Sequence, residues 1–346
     1  MSRWLAFTPR DTVFVRDGRS FNAAADTSAA TVRPWPTTIA GAAGAAFGRK
    51  PAEVRGPVLA QRRRGGWTPY FPVPADLVVE EASGRVRRLL PSEPDDGGET
   101  DLDMPRWLMP PDDAGKVELV SERYPGALMP GSLLGQYLAG TLPGPGTTVR
   151  DLRLMQPLAP EIRVGLARDG HVARSGFLYQ ATHLRLADDW AFAAEVTGAE
   201  GPAYRAAQHV LFGGRGRLAD VGEADMSWPG AGTAEIGTRA VVYLATPAVW
   251  PGGWRLPVPE GARLIAAATG KPEPATTLTP GRNWKQTRAL RWAVPAGSVY
   301  LLEFTDGAAA AEWAGDWHGR ALDRGVRGED LVRTAGFGVA LMGVWA

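Results

Sequence analysis

Apolar residues fall mostly in short runs broken by glycine and proline, and only three stretches keep a helical spacing. The runs at 4–7, 12–16, 77–80, 162–166, 177–186, 191–196, 241–245, 263–268, 299–304 and 339–344 have the length, the β-branched and aromatic content and the Gly/Pro borders of strands. After Val13-Phe14-Val15, Asp17-Gly18 is a two-residue hairpin signal, because both central positions accept positive φ. Helices are predicted over 38–47, 132–139 and in the 308–322 region. Thr37 or Thr38 is the expected cap of the first; Ser132 caps and Gly140 stops the second. Strands, a helix, then more strands predict an α+β fold with mainly antiparallel sheets, and no internal repeat of fixed period is present.

A chain of 346 residues suits two domains with ample core. The absence of cysteine excludes disulfides, thiolate catalysis and Cys-ligated zinc. No apolar run approaches the length that crosses a membrane, and Met1-Ser2-Arg3-Trp4 does not open a signal peptide, so a cytoplasmic protein is expected. The net charge of +1 conceals an asymmetry: the segment 93–113 carries eight acids against Arg106, a local charge of −7, which leaves +8 elsewhere. That segment, rich in Pro and Gly, is expected to be an exposed insertion lying away from any polyanion. Lysine occurs only at 50, 116, 271 and 285, so 34 of the 38 cations are arginines, the side chain that forks onto phosphates and stacks on bases. A GC-rich coding sequence produces the same bias, so the count alone decides nothing.

Three groups can carry chemistry. Gly213-Gly214-Arg215-Gly216-Arg217 combines bare backbone with two guanidiniums, a pattern for a phosphate nest or for a plain turn; it lacks the Gly-Lys-Ser/Thr of a nucleotide-hydrolysing loop. His183 alternates with Ala181 and Arg185 along one strand face. His171, His183, His209 and His318 form neither a metal-ligand spacing nor a nucleophile elbow, so no catalytic set and no metal or other cofactor is expected. The Arg62-Arg63-Arg64 run reads as a solvated loop.

The order of segments is more specific than any one of them. Thr8-Pro9-Arg10-Asp11, Phe14 to Phe21, Pro34 to Ala42, Tyr70 to Leu77, Arg163-Val164-Gly165-Leu166, Gly176-Phe177-Leu178-Tyr179, the Gly213 to Arg217 loop, Tyr243 to Pro247, Val294 to Tyr300 and Gly336-Phe337-Gly338 together resemble the third-subunit family of the Cmr complex, RAMP proteins of type III-B CRISPR effectors. Gly-Gly-Arg-Gly-Arg departs from that pattern by an arginine in place of an acidic residue. The resemblance implies two RRM-like, ferredoxin-type domains with glycine-rich loops, expected at 1–155, with an insertion over about 49–130, and at 156–346. It implies a non-catalytic subunit that holds the 5′ handle of the CRISPR RNA and touches the large polymerase-like subunit and an adjacent backbone RAMP subunit.

Carried onto this sequence, the resemblance assigns RNA contacts to Arg10, Arg16, Arg19, Asn22, Thr37, Thr38, His183 and Arg185. It gives main-chain cradles at Gly213, Gly214, Arg215, Gly216 and Arg217 and at Gly336 and Gly338, and further contacts at Trp284 and Lys285. Tyr179, Trp284 and Phe337 are available to stack on bases. Two rival readings remain: a RAMP-type endoribonuclease that processes precursor RNA with His183 as base, and a carbohydrate-binding module built on the 13 tryptophans. Trp228, Trp250 and Trp254, beside Pro or Gly, suit either partner docking or core packing.

Overall fold

The computed structural model describes residues 2–15, 31–93, 104–198, 209–230, 236–278, 288–322 and 334–345. Two antiparallel sheets carry the fold. The first contains β1 (Ser2–Pro9), β2 (Glu53–Arg63), β3 (Gly66–Pro72), β4 (Leu128–Pro130), β7 (Trp190–Thr197), β8 (His209–Leu211) and β9 (Leu218–Ala224), in the spatial order β8-β9-β1-β7-β2-β3-β4. Between β4 and β7 the chain makes a long two-stranded ribbon, β5 (Leu158–Asp169) with β6 (Val172–Leu186). The second sheet has the order β11-β12-β10-β14-β13, from β10 (Arg239–Leu244), β11 (Ala262–Ala268), β12 (Val299–Phe304), β13 (Arg320–Ala321) and β14 (Val339–Val344).

The helices α1 (Pro36–Phe47), α2 (Gly131–Leu138) and α3 (Gly307–Trp317) separate these sheets into layers. Strand alternation decides which core each residue enters. Leu5 and Phe7 of β1 pack with Ile39, Ala42, Ala43 and Ala46 of α1, whereas Trp4 and Ala6 pack with Leu134, Tyr137 and Leu138 of α2. The same α2 core includes Val241, Tyr243 and Leu341 of the second sheet, whose other face sets Val242 and Leu302 against Ala310 and Ala314 of α3. The order through the molecule is therefore α1, first sheet, α2, second sheet, α3. Sheets covered on both faces read as continuous apolar runs rather than alternation, which is why 4–7, 299–304 and 339–344 stand out in the sequence.

The α+β class is as expected. The halves 1–155 and 156–346 do not coincide with the two sheets, because β7 returns to pair with both β1 and β2 and β9 pairs with β1. The chain passes from one sheet to the other between Ala224 and Arg239. Two expected caps also differ. α1 starts at Pro36, with Trp35 at the N-cap and no side-chain cap bond, so Thr37 and Thr38 sit inside the first turn. Pro130, not Ser132, precedes α2. A proline at the first helical position supplies a preset φ and forgoes only an N–H that had no partner there.

The acidic segment is not wholly an exposed insertion. Its 94–103 stretch lies outside the described residues, but Leu90–Ser92 pairs with Trp107–Met109, Met104 and Leu108 pack on the α2 core, and the Arg106 N–H donates to the Ile265 carbonyl at 3.1 Å. Its ends are stitched to the second sheet.

Candidate nucleic-acid interface

Past β1 the chain leaves the sheet. Residues 12–15 form no regular strand; they cross the ribbon through one antiparallel bridge, in which Val13 and Leu184 exchange N–H to carbonyl bonds of 2.7 and 2.9 Å. The expected strand at 12–16 is thus a tether, because its apolar residues are satisfied by the ribbon and the 212–217 loop. Phe14, 4% exposed, is the centre of this junction. Its ring lies 4.8 Å from the His183 ring and 5.1 Å from the Arg215 guanidinium carbon, and its carbonyl accepts from the Gly214 N–H at 2.7 Å.

The loop geometry follows from two glycines. Gly213 has φ of 82°, and a Cβ there would stand 2.8 Å from the Phe14 carbonyl oxygen. The loop closes on itself through the Phe212 N–H donating to the Arg217 carbonyl at 2.7 Å. Gly213 and Gly214 therefore seat the loop on Phe14, while Arg215 and Arg217 supply the charge.

Asp11 gathers the arginines. Arg163 donates to both of its carboxylate oxygens at 3.0 Å, Arg185 at 3.2 Å, and Arg217 also pairs with it. Glu161 bridges Arg163 at 2.8 Å and Arg185 at 2.5 Å. Partial burial works to raise the Asp11 carboxyl, but the Thr12 N–H with Arg163 and Arg217 outweighs it and holds the group at about 2. Arg10 pairs with Asp220 of the neighbouring strand β9 at 2.7 Å. The Arg217 Nε–H is buried without a hydrogen-bond partner among the described residues.

His183 is 2% exposed, under Phe14, with Nδ1 2.9 Å from the Thr12 hydroxyl. Burial, then Arg217, Arg163 and Arg215, push its pKa below the ordinary range, so the ring is neutral. Among the described residues no group of three or more His, Asp or Glu is arranged to hold a metal ion.

The structure thus brings Arg10, His183, Arg185, Gly213, Gly214, Arg215, Gly216 and Arg217 to one junction, with His183 inside it rather than on its surface. Thr37, Thr38, Gly336 and Gly338 belong elsewhere: Trp35, just before α1, stacks on Phe337 at 6.3 Å. Phe337 is buried and unavailable to a base. Gly336 has φ of 99°, its carbonyl accepts from the Thr246 hydroxyl at 2.7 Å, and the Gly338 N–H donates to the Pro247 carbonyl at 2.8 Å. This expected cradle is a packed seam. Arg16, Arg19, Asn22, Trp284 and Lys285 lie outside the described residues, as does the side chain of Tyr179. Sequence reasoning did not assign Asp11, Glu161 and Arg163 to the site. The Glu-x-Arg alternation was the available signal, but only the ribbon register, with Glu161 opposite His183 and Arg163 opposite Ala181, shows that it faces the junction.

Trp250 is buried, with its indole N–H on the Leu322 carbonyl at 2.9 Å, and Trp228 donates to Glu195 at 2.7 Å while packing on Trp4. Trp254 packs against the α3 core. These three serve packing.

The family model for CRISPR-associated protein (Cas_Cmr3) matches residues 5–345. The chain belongs to this family. The resemblance read from the order of its segments is borne out, and with it a place among type III-B CRISPR proteins. Among solved structures, a chain in the cryo-EM structure of the Type III-B Cmr-beta bound to cognate target RNA and AMPPnP is similar at a TM-score of 0.50 and 14% identity, with 86% of each chain covered. A chain in the Cmr-beta structure bound to cognate target RNA has a TM-score of 0.49 and 16% identity, again with 86% of each covered. No curated protein matches. No helix among the described residues is long and apolar enough to cross a membrane.

Proposed function

We propose that the chain is a non-catalytic RNA-binding subunit of a type III-B CRISPR ribonucleoprotein, holding the 5′ handle of the CRISPR RNA next to the large polymerase-like subunit and an adjacent backbone RAMP subunit. The observation that carries this reading is the arginine junction at Asp11 and Phe14. Arg163, Arg185 and Arg217 gather on Asp11, Glu161 bridges the first two, Arg10 pairs with Asp220 and Arg215 lies over Phe14, a cluster of cationic side chains where the chain enters the segment with Arg16, Arg19 and Asn22. Central carboxylates hold the guanidinium forks in fixed directions, so they meet a phosphate with little further loss of rotamer freedom.

Thr37 and Thr38, in the first turn of α1, offer hydroxyls to a further phosphate. Family membership and the Cmr-beta fold likeness support assembly with other subunits. On the outer face of the ribbon, Ile162, Val164 and Leu166 are 65%, 62% and 48% exposed, an apolar stripe suited to a protein neighbour. An endoribonuclease would need a reachable base, whereas His183 is neutral but enclosed by Phe14 and Thr12.

The test is binding of labelled CRISPR RNA, with and without its 5′ handle, by the full chain across a salt series. Handle-dependent binding that Arg163→Ala/Arg185→Ala weakens by about tenfold, with a shallower salt slope and intact RNA, is expected. Equal affinity for both RNAs refutes handle recognition, and cleaved RNA refutes a non-catalytic role.

A further inference from the structure

Two open clefts lie outside the Asp11 junction, and their charges differ. One, of about 920 Å³, is lined by Glu195, Glu223 and Asp225 against Arg3, which repels phosphate. The other, of about 760 Å³, is lined by Arg123, Tyr124, Thr148, Arg150, Arg153 and Gln156 among others, with no carboxylate. We propose that this second cleft binds one nucleotide of a single-stranded RNA, with a phosphate between Arg150 and Arg153 and the base against Tyr124. The proposal rests on the RNA-binding reading above and extends it to a separate place on the molecule.

The arginines are pre-set by a built turn. Val149–Leu152 is a 3-10 helix that ends at Arg153, and Arg150 within it and Arg153 just after it both line the cleft. Arg153 has φ of 49°, a conformation uncommon for a residue other than glycine, and its N–H donates to the Arg150 carbonyl at 3.2 Å. A capping box holds the turn: Asp151 accepts from the Thr148 N–H and hydroxyl, both at 2.8 Å. The Asp151 carboxylate is thereby engaged in the cap. Among the described residues neither Arg150 nor Arg153 forms an ion pair, and Arg123 has only a 3.6 Å contact with Glu118 at the surface. Asp151 feels the Arg153 charge from its place in the cap, and a phosphate in the cleft adds an anion that both guanidiniums attract.

The rest of the lining favours RNA over an acidic peptide. The half-buried Tyr124 beside the guanidiniums supplies an aromatic surface on which a base stacks, a term with no counterpart in an aspartate or glutamate side chain. Gln156 directs its amide N–H to the Pro125 carbonyl at 2.9 Å, which fixes the side chain at the rim. From Gln156 the chain runs into β5, and five residues on, roughly 16 Å at strand spacing, Glu161 joins the Asp11 junction. One strand links the two basic places.

The experiment uses the full chain, CRISPR RNA carrying 4-thiouridine, and the variants Arg150→Ala/Arg153→Ala and Tyr124→Leu, with thermal unfolding as a check on folding. Expected are a photo-crosslink within 118–156 and a loss of affinity of about tenfold in the arginine variant. Its salt slope should be shallower by about 0.7, the value for one single-strand phosphate. Tyr124→Leu should weaken binding several-fold at unchanged slope. Unchanged affinity and no crosslink at 118–156, while Arg163→Ala/Arg185→Ala still weakens binding, overturns the cleft and leaves the RNA-binding reading standing. Failure of the unaltered chain to bind RNA at low salt overturns both. A Glu-rich peptide that binds the unaltered chain and not the arginine variant, with RNA binding unaffected, assigns the cleft to protein and also overturns the proposal.

Discussion

At Gly213 and at Gly336 the chain passes another backbone at the same kind of distance: a Cβ would stand 2.8 Å from the Phe14 carbonyl oxygen at the first and 2.5 Å from that of Val54 at the second. Both have positive φ and both adjoin a phenylalanine in sequence, Phe212 and Phe337. Their surroundings differ. Around 213 the packed backbone meets the ion-paired arginines 163, 185 and 217, whereas around 336 the hydrogen bond and ring contact among the described residues come from Thr246 and Trp35, beside the Val54 and Gly56 backbone of β2. Glycine in a sequence marks close approach of backbone to something; charge beside it separates a ligand-facing loop from a seam.

The largest effect should come from Phe337→Ala in the seam. Phe337 is buried and stacks on Trp35, so its loss should cost about 3–5 kcal/mol of stability, with RNA affinity per folded molecule preserved. Denaturant unfolding and binding on the same sample check this, and a selective loss of RNA binding at full stability would make the seam a binding surface. The two glycines come next. Gly336→Ala forces Cβ onto the Val54 and Gly56 backbones and should cost on the order of 3 kcal/mol, while Gly213→Ala should cost on the order of 1–2 kcal/mol. Only the latter should also weaken RNA binding, because Phe14 and Arg215 would shift together. Equal effects of the two variants on RNA would make the 336 seam as much a ligand-facing loop as the 213 loop.

How far the sequence reveals this contrast depends on the range of the interaction concerned. Strands 77–80, 299–304 and 339–344 were legible to the residue, since double-sided burial writes itself as an unbroken apolar run. The strands β2 and β3 were not, because Arg55, Gln61, Arg62 and Thr68 interrupt their apolar pattern, and the tertiary partners Glu195 and Tyr70 accommodate Arg55 and Gln61. The Arg10, His183 and Gly213 to Arg217 pieces were legible as a group only through family resemblance. Their convergence depends on the Val13 to Leu184 bridge, a contact 171 residues apart that leaves no periodicity behind. Asp11 was visible as a residue but not as the hub, since a carboxylate beside arginines reads as a deterrent to phosphate until three guanidiniums are seen to share it.

The smallest expected effect concerns His183 and tests whether the junction is packed as tightly as the seam. Its folded pKa lies below that of a free imidazole, about 6.5, first through burial and then through Arg217, Arg163 and Arg215. The unfolded chain takes up a proton near pH 6.5 that the folded chain refuses, so stability is full above that pH and falls as the pH drops from 7 toward 5, by at most about 1.4 kcal/mol per pH unit. His318 is depressed by burial in the same direction, so the slope of the unaltered protein contains both. The difference in slope between it and His183→Gln isolates one. Asp11 does not intrude, because a carboxyl held at about 2 loses its contribution only as the pH falls below about 5. A shallower pH dependence in His183→Gln between 7 and 5 is the expected result. Identical slopes would mean that the ring takes its proton in the folded state, hence that Phe14 and Thr12 do not close over it and that a base is reachable at the junction after all.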